Sequence, residues 1–329
     1  MAILVTGGAG YIGSHTVAEL LDRGEEVVVL DSLVTGHRES LLGGKLYVGD
    51  LRDKELLAKL FSENEIEAVI HFAASSLVGE SMKDPVKYYD NNVYGTQCLL
   101  EGMQKAGVNK IVFSSTAATY GEPEKVPIEE TDRTQPSNVY GETKLTMERM
   151  MSWFDQVLGI KYVALRYFNA AGAHASGKIG EDHRPESHLI PLVLQTALKQ
   201  RESIAVFGDD YPTGDGTCIR DYIHVTDLAD AHVRAVTYLR NGSASSVFNL
   251  GNGLGFSVKE VIETAKEVTG LDIPVVIQER RAGDPAVLVA SSEKARSVLG
   301  WNPARADLKE IIRSAWSWHS SHPQGYGDN

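Results

Sequence analysis

The chain has 329 residues, enough for about two domains or one large doubly wound one. Lys plus Arg is 32 against 44 Asp plus Glu, and the net charge of −12 argues against a nucleic-acid or acidic-membrane partner. Cys98 and Cys218 are too few for a disulfide framework, no run of ~18 apolar residues offers a membrane span, and no basic-then-apolar leader precedes the first strand, so a reducing, cytoplasmic setting without a signal peptide is expected.

Residues 2–6 are a short apolar run that reads as a strand, and Gly7-Gly8-Ala9-Gly10-Tyr11-Ile12-Gly13 follows at once. A helical pattern then carries Ile12, Val17, Leu20 and Leu21 on one side, and residues 25–30 form a second strand ending on Asp31. Gly7, Gly10 and Gly13 allow a tight turn whose backbone N–H groups approach a pyrophosphate at a helix N-terminus. Asp31 lies 18 positions after Gly13, near the ~20 expected of a carboxylate that grips a ribose 2′-hydroxyl. A carboxylate there repels a 2′-phosphate, so the spacing favours NAD over NADP.

Further strands are predicted at 45–48, 68–72, 110–113 and 162–166, and helices at 53–61, 85–105 and 138–158. Such alternation implies a parallel sheet covered on both faces, an α/β doubly wound fold. Ligands bind beyond the carboxyl ends of such strands, which draws attention to Thr6, Asp31, Asp50, Phe72, Ser114 and Tyr167. The alternation breaks after Phe168. Helices at 188–200, 226–239, 258–269, 291–299 and 307–318 and apolar runs at 204–207, 247–250 and 274–277 suggest a smaller mixed α/β C-terminal lobe. The expected division is 1–170 for the cofactor and 171–329 mainly for the substrate, with some elements returning to the first domain. Residues 320–329, polar with Pro and Gly, are expected to fray.

Tyr140 and Lys144 are four apart near the start of a predicted helix, so they share a face. A cation beside a phenol lowers its pKa from ~10 and makes Tyr140 a usable general base. Ser114-Ser115-Thr116, at the end of the fifth strand, offers a third hydroxyl for the reacting oxygen.

With these features the sequence resembles the extended short-chain dehydrogenase/reductase family, in its sugar-nucleotide epimerase branch. The specific pieces are Thr6 through His15, Tyr88-Tyr89-Asp90-Asn91-Asn92-Val93, Leu165-Arg166-Tyr167-Phe168-Asn169, Tyr211-Pro212-Thr213 and Arg220-Asp221-Tyr222-Ile223-His224-Val225. The resemblance implies a Rossmann-type sheet and redox-neutral, reversible 4-epimerisation of UDP-glucose and UDP-galactose through a transient 4-keto sugar with bound NAD. Tyr140 is then the base, Lys144 tunes it and holds the nicotinamide ribose, and Thr116 holds the reacting oxygen. It further implies that Tyr11, Ile12, Asp31, Ser32, Asp50, Leu51, Phe72, Ala73, Ala74, Ser76, Asn91, Ser114, Tyr167 and Phe168 join the three glycines around NAD. Asn169, His188, Leu189, Ala205, Val206, Phe207, Arg220, Arg281, Asp284 and Leu288 would face the UDP-sugar, with Phe207 on uracil and both arginines on the pyrophosphate. A homodimer built from the helices near 92–105 and 140–158 is also implied.

Three positions depart from the family pattern. Ser76 stands where a lysine is common, His188 where an asparagine is usual, and Leu288 where some members carry Tyr and others a smaller residue, so a side activity on UDP-GlcNAc and UDP-GalNAc is expected. The histidines show no metal-ligand spacing with Cys or Glu, so no metal is expected. A dehydratase or decarboxylase would place an acid just after Thr116, where Ala117-Ala118-Thr119 has none. Another NAD-dependent UDP-sugar epimerase remains an alternative. An NAD-binding sensor without chemistry would typically have lost the Tyr/Lys pair.

Overall fold

The N-terminal apolar run becomes the middle of a sheet. The computed structural model describes residues 1–281 and 284–327. Its first half runs β1 (Ala2–Thr6), α1 (Tyr11–Asp22), β2 (Glu26–Asp31), β3 (Lys45–Val48), α2 (Lys54–Glu63), β4 (Ile66–His71), α3 (Val78–Ser81), α4 (Pro85–Tyr88), α5 (Gly95–Ala106), β5 (Lys110–Thr116), α6 (Val139–Leu158), β6 (Lys161–Tyr167) and β7 (Asn169–Ala171). The helix expected over 85–105 is α4 and α5 joined by a π-helical turn at Tyr89–Tyr94. The second half runs α7 (Leu189–Ala197), β8 (Ile204–Phe207), β9 (Ile219–Arg220), β10 (Tyr222–His224), α8 (Val225–Arg240), β11 (Ser246–Leu250), β12 (Phe256–Ser257), α9 (Val258–Thr269), β13 (Val275–Gln278), β14 (Val287–Leu288) and α10 (Leu308–Ser321).

Seven strands form one parallel sheet in the order β11-β6-β5-β4-β1-β2-β3. Successive side chains of a strand point to opposite faces. Ile3 and Val5 accordingly enter a core shared with α1 and α8, while Ala2 and Leu4 enter a second core with α2, α5 and α6. Burial on both faces explains the unbroken apolar runs. The seventh strand, β11, comes from beyond residue 171 and pairs with β6 through Phe248 and Leu165, so β11 and α8 return to the large sheet. Side chains fix the helix starts: Asp53 caps α2, Asn138 accepts from the Gly141 N–H at the start of α6, and Ser257 with Glu260 forms a capping box on α9.

The rest is built from smaller sheets: β10-β7, β12-β9-β14 and β13-β8. A separate core formed by α7, α9 and α10 with β8 includes Ile190, Leu194, Val206, Val261, Ile311 and Ile312. The chain end departs from the expected fraying. α10 continues to Ser321, Trp318 stacks on His322 at 3.9 Å, and the Tyr326 hydroxyl meets the Gly180 backbone N–H at 3.1 Å. Aromatic burial outweighs the polar composition there; positions 328 and 329 lie outside the described residues. Among the described residues no helix is long and apolar enough to cross a membrane.

Candidate active site

The turn after β1 depends on its glycines. Gly7 has φ +70°, and a Cβ there would lie 2.6 Å from the Ala73 nitrogen. A Cβ on Gly13 would meet the Gly7 oxygen at 2.1 Å, so α1 can pack this close only through glycine. α1 starts at Gly10 without a side-chain cap, as suits a helix end that takes an anion. Asp31 is buried at the end of β2; its carboxylate accepts from the Ala9 N–H at 2.9 Å and the Leu33 N–H at 2.8 Å, holding the loop to the neighbouring strand. Burial raises its pKa, and these two bonds pull it back. Glycine cradle, uncapped helix and strand-end carboxylate together fit a dinucleotide with an unmodified ribose.

Around this loop the structure gathers the other strand ends. His71, buried and held neutral with its pKa lowered to about 3, bridges the Thr6 hydroxyl at 2.7 Å and the Thr96 hydroxyl at 2.9 Å. Phe72 packs on His232 with ring centres 4.5 Å apart. Ala73 lies against Gly7, Asn91 donates to the Ser75 hydroxyl at 3.1 Å, and Asn92 links Ser75 to Thr143 on α6. Leu51 is buried, Ala74 and Ile12 are half-buried, and Ser32 and Ser76 are exposed. Asp50 is engaged by Arg52, which also pairs with Asp90.

Tyr140 and Lys144 lie on the first turns of α6, beside the end of β5. Lys144 Nζ donates to the Ser114 carbonyl at 2.9 Å and lies 5.9 Å from the Tyr140 ring centre. Thr116 supplies the hydroxyl that hydrogen-bonds the Tyr140 phenol. The Ser114 and Tyr167 hydroxyls share a hydrogen bond of 2.5 Å just below. The expected depression of the phenol is corrected here. Burial pushes Tyr140 up to about 12, with the Thr116 bond opposing it, and burial drives Lys144 down to about 7. Desolvation penalises both charged forms; it outweighs the Thr116 bond at the phenol and the attraction of the Glu148 carboxylate at the ammonium.

One group in this region was not singled out from the sequence. Glu148, one turn beyond Lys144, is buried and meets Arg166 Nε at 2.9 Å and Nη2 at 2.5 Å. It also accepts from the Ser115 hydroxyl at 2.5 Å, and Arg166 donates to the Tyr120 hydroxyl at 2.9 Å. This network clamps α6 to β5 and β6 directly beneath the Tyr/Lys pair. The signal was available, since Tyr140, Lys144 and Glu148 follow one another at four-residue spacing.

The remaining residues expected at the sugar nucleotide come mainly from the C-terminal lobe. The Arg281 guanidinium sits 3.8 Å from the Phe207 ring centre, and Arg220 pairs with Asp284. Asn169 donates to the Asp221 carbonyl at 3.0 Å. Leu288 lies beside Arg220 in the β9–β14 register and packs with Phe168 on Ala117, Tyr120 and Ile128. His188 and Leu189 stand at the start of α7. Val206 differs from the expectation: it is 1% exposed in the lobe's core, while Ala205 and Phe207 are half-buried, so it can offer a ligand only its backbone. Asp221, also overlooked, accepts from the Asn252, Gly253 and Ala290 N–H groups, and burial raises it to about 6. The structure also brings Glu181, His183, Glu186 and His188 together within 181–188, a grouping not singled out from the sequence.

Residues 3–251 match the NAD dependent epimerase/dehydratase family. The chain is 61% identical to the UDP-glucose 4-epimerase of Halalkalibacterium halodurans over 99% of its own length and 98% of that protein's. It superposes on a crystal structure of a UDP-glucose 4-epimerase with a TM-score of 0.98 at 57% identity, covering 100% of both chains. With the Bifidobacterium longum UDP-glucose 4-epimerase, solved in complex with NAD+ and UDP, the TM-score is 0.93 at 40% identity, covering 99% of this chain and 100% of that one. The glycine cradle, the strand-end hydroxyls and the Tyr140/Lys144 pair thus occur in a chain that, by sequence over three quarters of its length and by fold over all of it, belongs to the NAD dependent epimerase/dehydratase family.

Proposed function

We infer that this chain interconverts UDP-glucose and UDP-galactose by inverting carbon 4 of the hexose, as a redox-neutral isomerase. The observation that carries the reading is half-buried Tyr140, set beside Thr116 and Lys144 at the carboxyl end of the sheet that opens on the glycine loop. NAD, when bound, supplies the acceptor and donor of the hydride at carbon 4 and a positive charge beside the phenol. Tyr140 takes the proton of the 4-hydroxyl and later returns it, and Thr116 holds that oxygen. Lys144, its Nζ 5.9 Å from the Tyr140 ring centre, supplies in its charged form the nearby cation that stabilises the phenolate. The keto sugar must present both faces to one cofactor. It does so by turning about its pyrophosphate link while Phe207 holds the uracil and Arg220 and Arg281 hold the phosphates.

The glycines, Asp31 and the ends of β3 and β4 hold NAD in this reading, and residues beyond 171 mainly hold the sugar nucleotide. Exposed apolar side chains within 92–105 and 140–158, namely Tyr94, Trp153, Val157 and Leu158, support a homodimer through the helices there. Two buried, unpaired cysteines suit the cytoplasm. No acid follows Thr116, which favours epimerisation over dehydration or decarboxylation. Purified protein given UDP-galactose should form UDP-glucose to a fixed ratio that is also reached from UDP-glucose. A panel of UDP-sugars should include measurable but slower turnover of UDP-GlcNAc. No conversion in either direction, with NAD bound, would remove the assignment and favour an NAD-binding sensor.

A further inference from the structure

We propose that Glu181, His183, Glu186 and His188 form a binding site for a divalent transition-metal ion, zinc by preference. Each residue offers one ligand atom, and all four atoms lie within 4.8 Å of one another. His188 Nδ1 is 2.7 Å from a Glu181 oxygen and 3.2 Å from a Glu186 oxygen; His183 Nδ1 is 3.2 Å and 3.7 Å from oxygens of the same two carboxylates. Zinc bonds of about 2.0–2.2 Å put neighbouring corners of a tetrahedron about 3.3–3.6 Å apart, and the four observed separations bracket that edge.

Simple ion pairing explains the arrangement less well. Each Nδ1 carries at most one proton, yet each faces two carboxylates at similar distances. A cation at the centre serves all four donors at once. Both carboxylates are dry, with side chains 3% and 6% exposed. Glu186 is held in place by the backbone N–H groups of Ser187 and His188, at 2.7 and 2.8 Å. Two imidazoles select against magnesium and calcium, which take oxygen ligands, and four protein donors leave no corner open. The ion is therefore structural. The site depends on His188, since the asparagine usual at this position in the family has no imidazole to offer.

The location gives the ion its effect. His183 meets the Tyr11 ring of the glycine loop edge-on at 6.1 Å, and Tyr11 donates to the Gly172 carbonyl at 2.6 Å. Between the ligands, Asp182 holds His37 and the Tyr326 N–H, and Trp318 donates to the Glu181 carbonyl. A bound zinc closes 181–188 into a staple that pins the cofactor loop, the start of α7 and the docked chain end.

The test uses untagged, full-length protein stripped with dipicolinate and then dialysed. Zinc titrated back should bind at about one ion per chain with a dissociation constant below about 1 µM. At a hundredfold excess over that constant it should raise the melting midpoint by about 5 °C. Cobalt in place of zinc should give the intense visible absorption of a four-coordinate ion. His183→Ala should weaken zinc binding at least about 100-fold and abolish the thermal shift; Glu186→Gln is the second variant should the first not fold. Failure of the stripped wild type to take up micromolar zinc overturns the proposal. So does uptake unchanged in both variants, or a weak six-coordinate cobalt spectrum.

Discussion

Arg166–Glu148 and Arg220–Asp284 are both arginine–carboxylate pairs, one packed against the large sheet and one in the C-terminal lobe. The first has side chains 6% and 6% exposed and is tied to Ser115 and Tyr120. The second is 14% and 31% exposed and sits on β9, a strand of only two residues. β5 and β6, seven residues each and paired along their whole length, carry Ser115 and Arg166 beside the first pair. A dry pair in such a frame has no competing partner and serves as a clamp. In the proposed function the part-exposed pair on so short a strand exchanges its carboxylate for a phosphate.

The sheet side should suffer the largest losses. Tyr140→Phe keeps the fold and the NAD content while lowering kcat by about 10²–10⁴, the size of a general-base contribution. Turnover near wild type would take Tyr140 out of the mechanism and leave the two regions undistinguished. Glu148→Ala strands the Arg166 guanidinium in the dry interior and should cost about 3–5 kcal/mol by urea unfolding. The matching change in the lobe, Asp284→Ala, should cost under about 1 kcal/mol. Equal losses would break the comparison.

Asp221 sharpens it from the lobe side. Its folded pKa of about 6 lies above the unfolded value of 3.8, so the folded state binds the extra proton between those values. Its contribution to stability is fully present below about pH 4 and is lost as pH rises through 6, by at most about 3 kcal/mol. The stability difference between wild type and Asp221→Asn, followed by urea midpoint from pH 4 to 7, should shift against the wild type as pH rises. A flat difference would mean the three backbone N–H groups fully offset burial.

The last effect concerns Leu288, which packs with Phe168 against Tyr120 and Ile128. Leu288→Tyr overfills that corner at ~1–3 kcal/mol, about 5- to 150-fold in kcat/KM for UDP-GlcNAc, while sparing UDP-glucose. An equal loss for both sugars would show that Leu288 does not gate the N-acetyl group.

What was legible in the sequence was local. The glycine turn, Asp31 and the Tyr140/Lys144 pair are each specified by a few neighbouring residues and one repeating element, so spacing alone placed them. The parallel sheet followed from apolar runs that only two-sided burial explains. Tertiary structure decided the rest, because those outcomes depend on distant partners or on solvent exclusion. Burial, invisible in spacing, raises Tyr140 where a neighbouring lysine suggested the reverse. β11 returns to the sheet from beyond residue 171 because β6 has an edge to cover. The polar chain end docks because Trp318, His322 and Tyr326 find one another and Gly180. Glu181, His183, Glu186 and His188 lie within eight positions, but only the folded path of that segment sets their ligand atoms within 4.8 Å of one another.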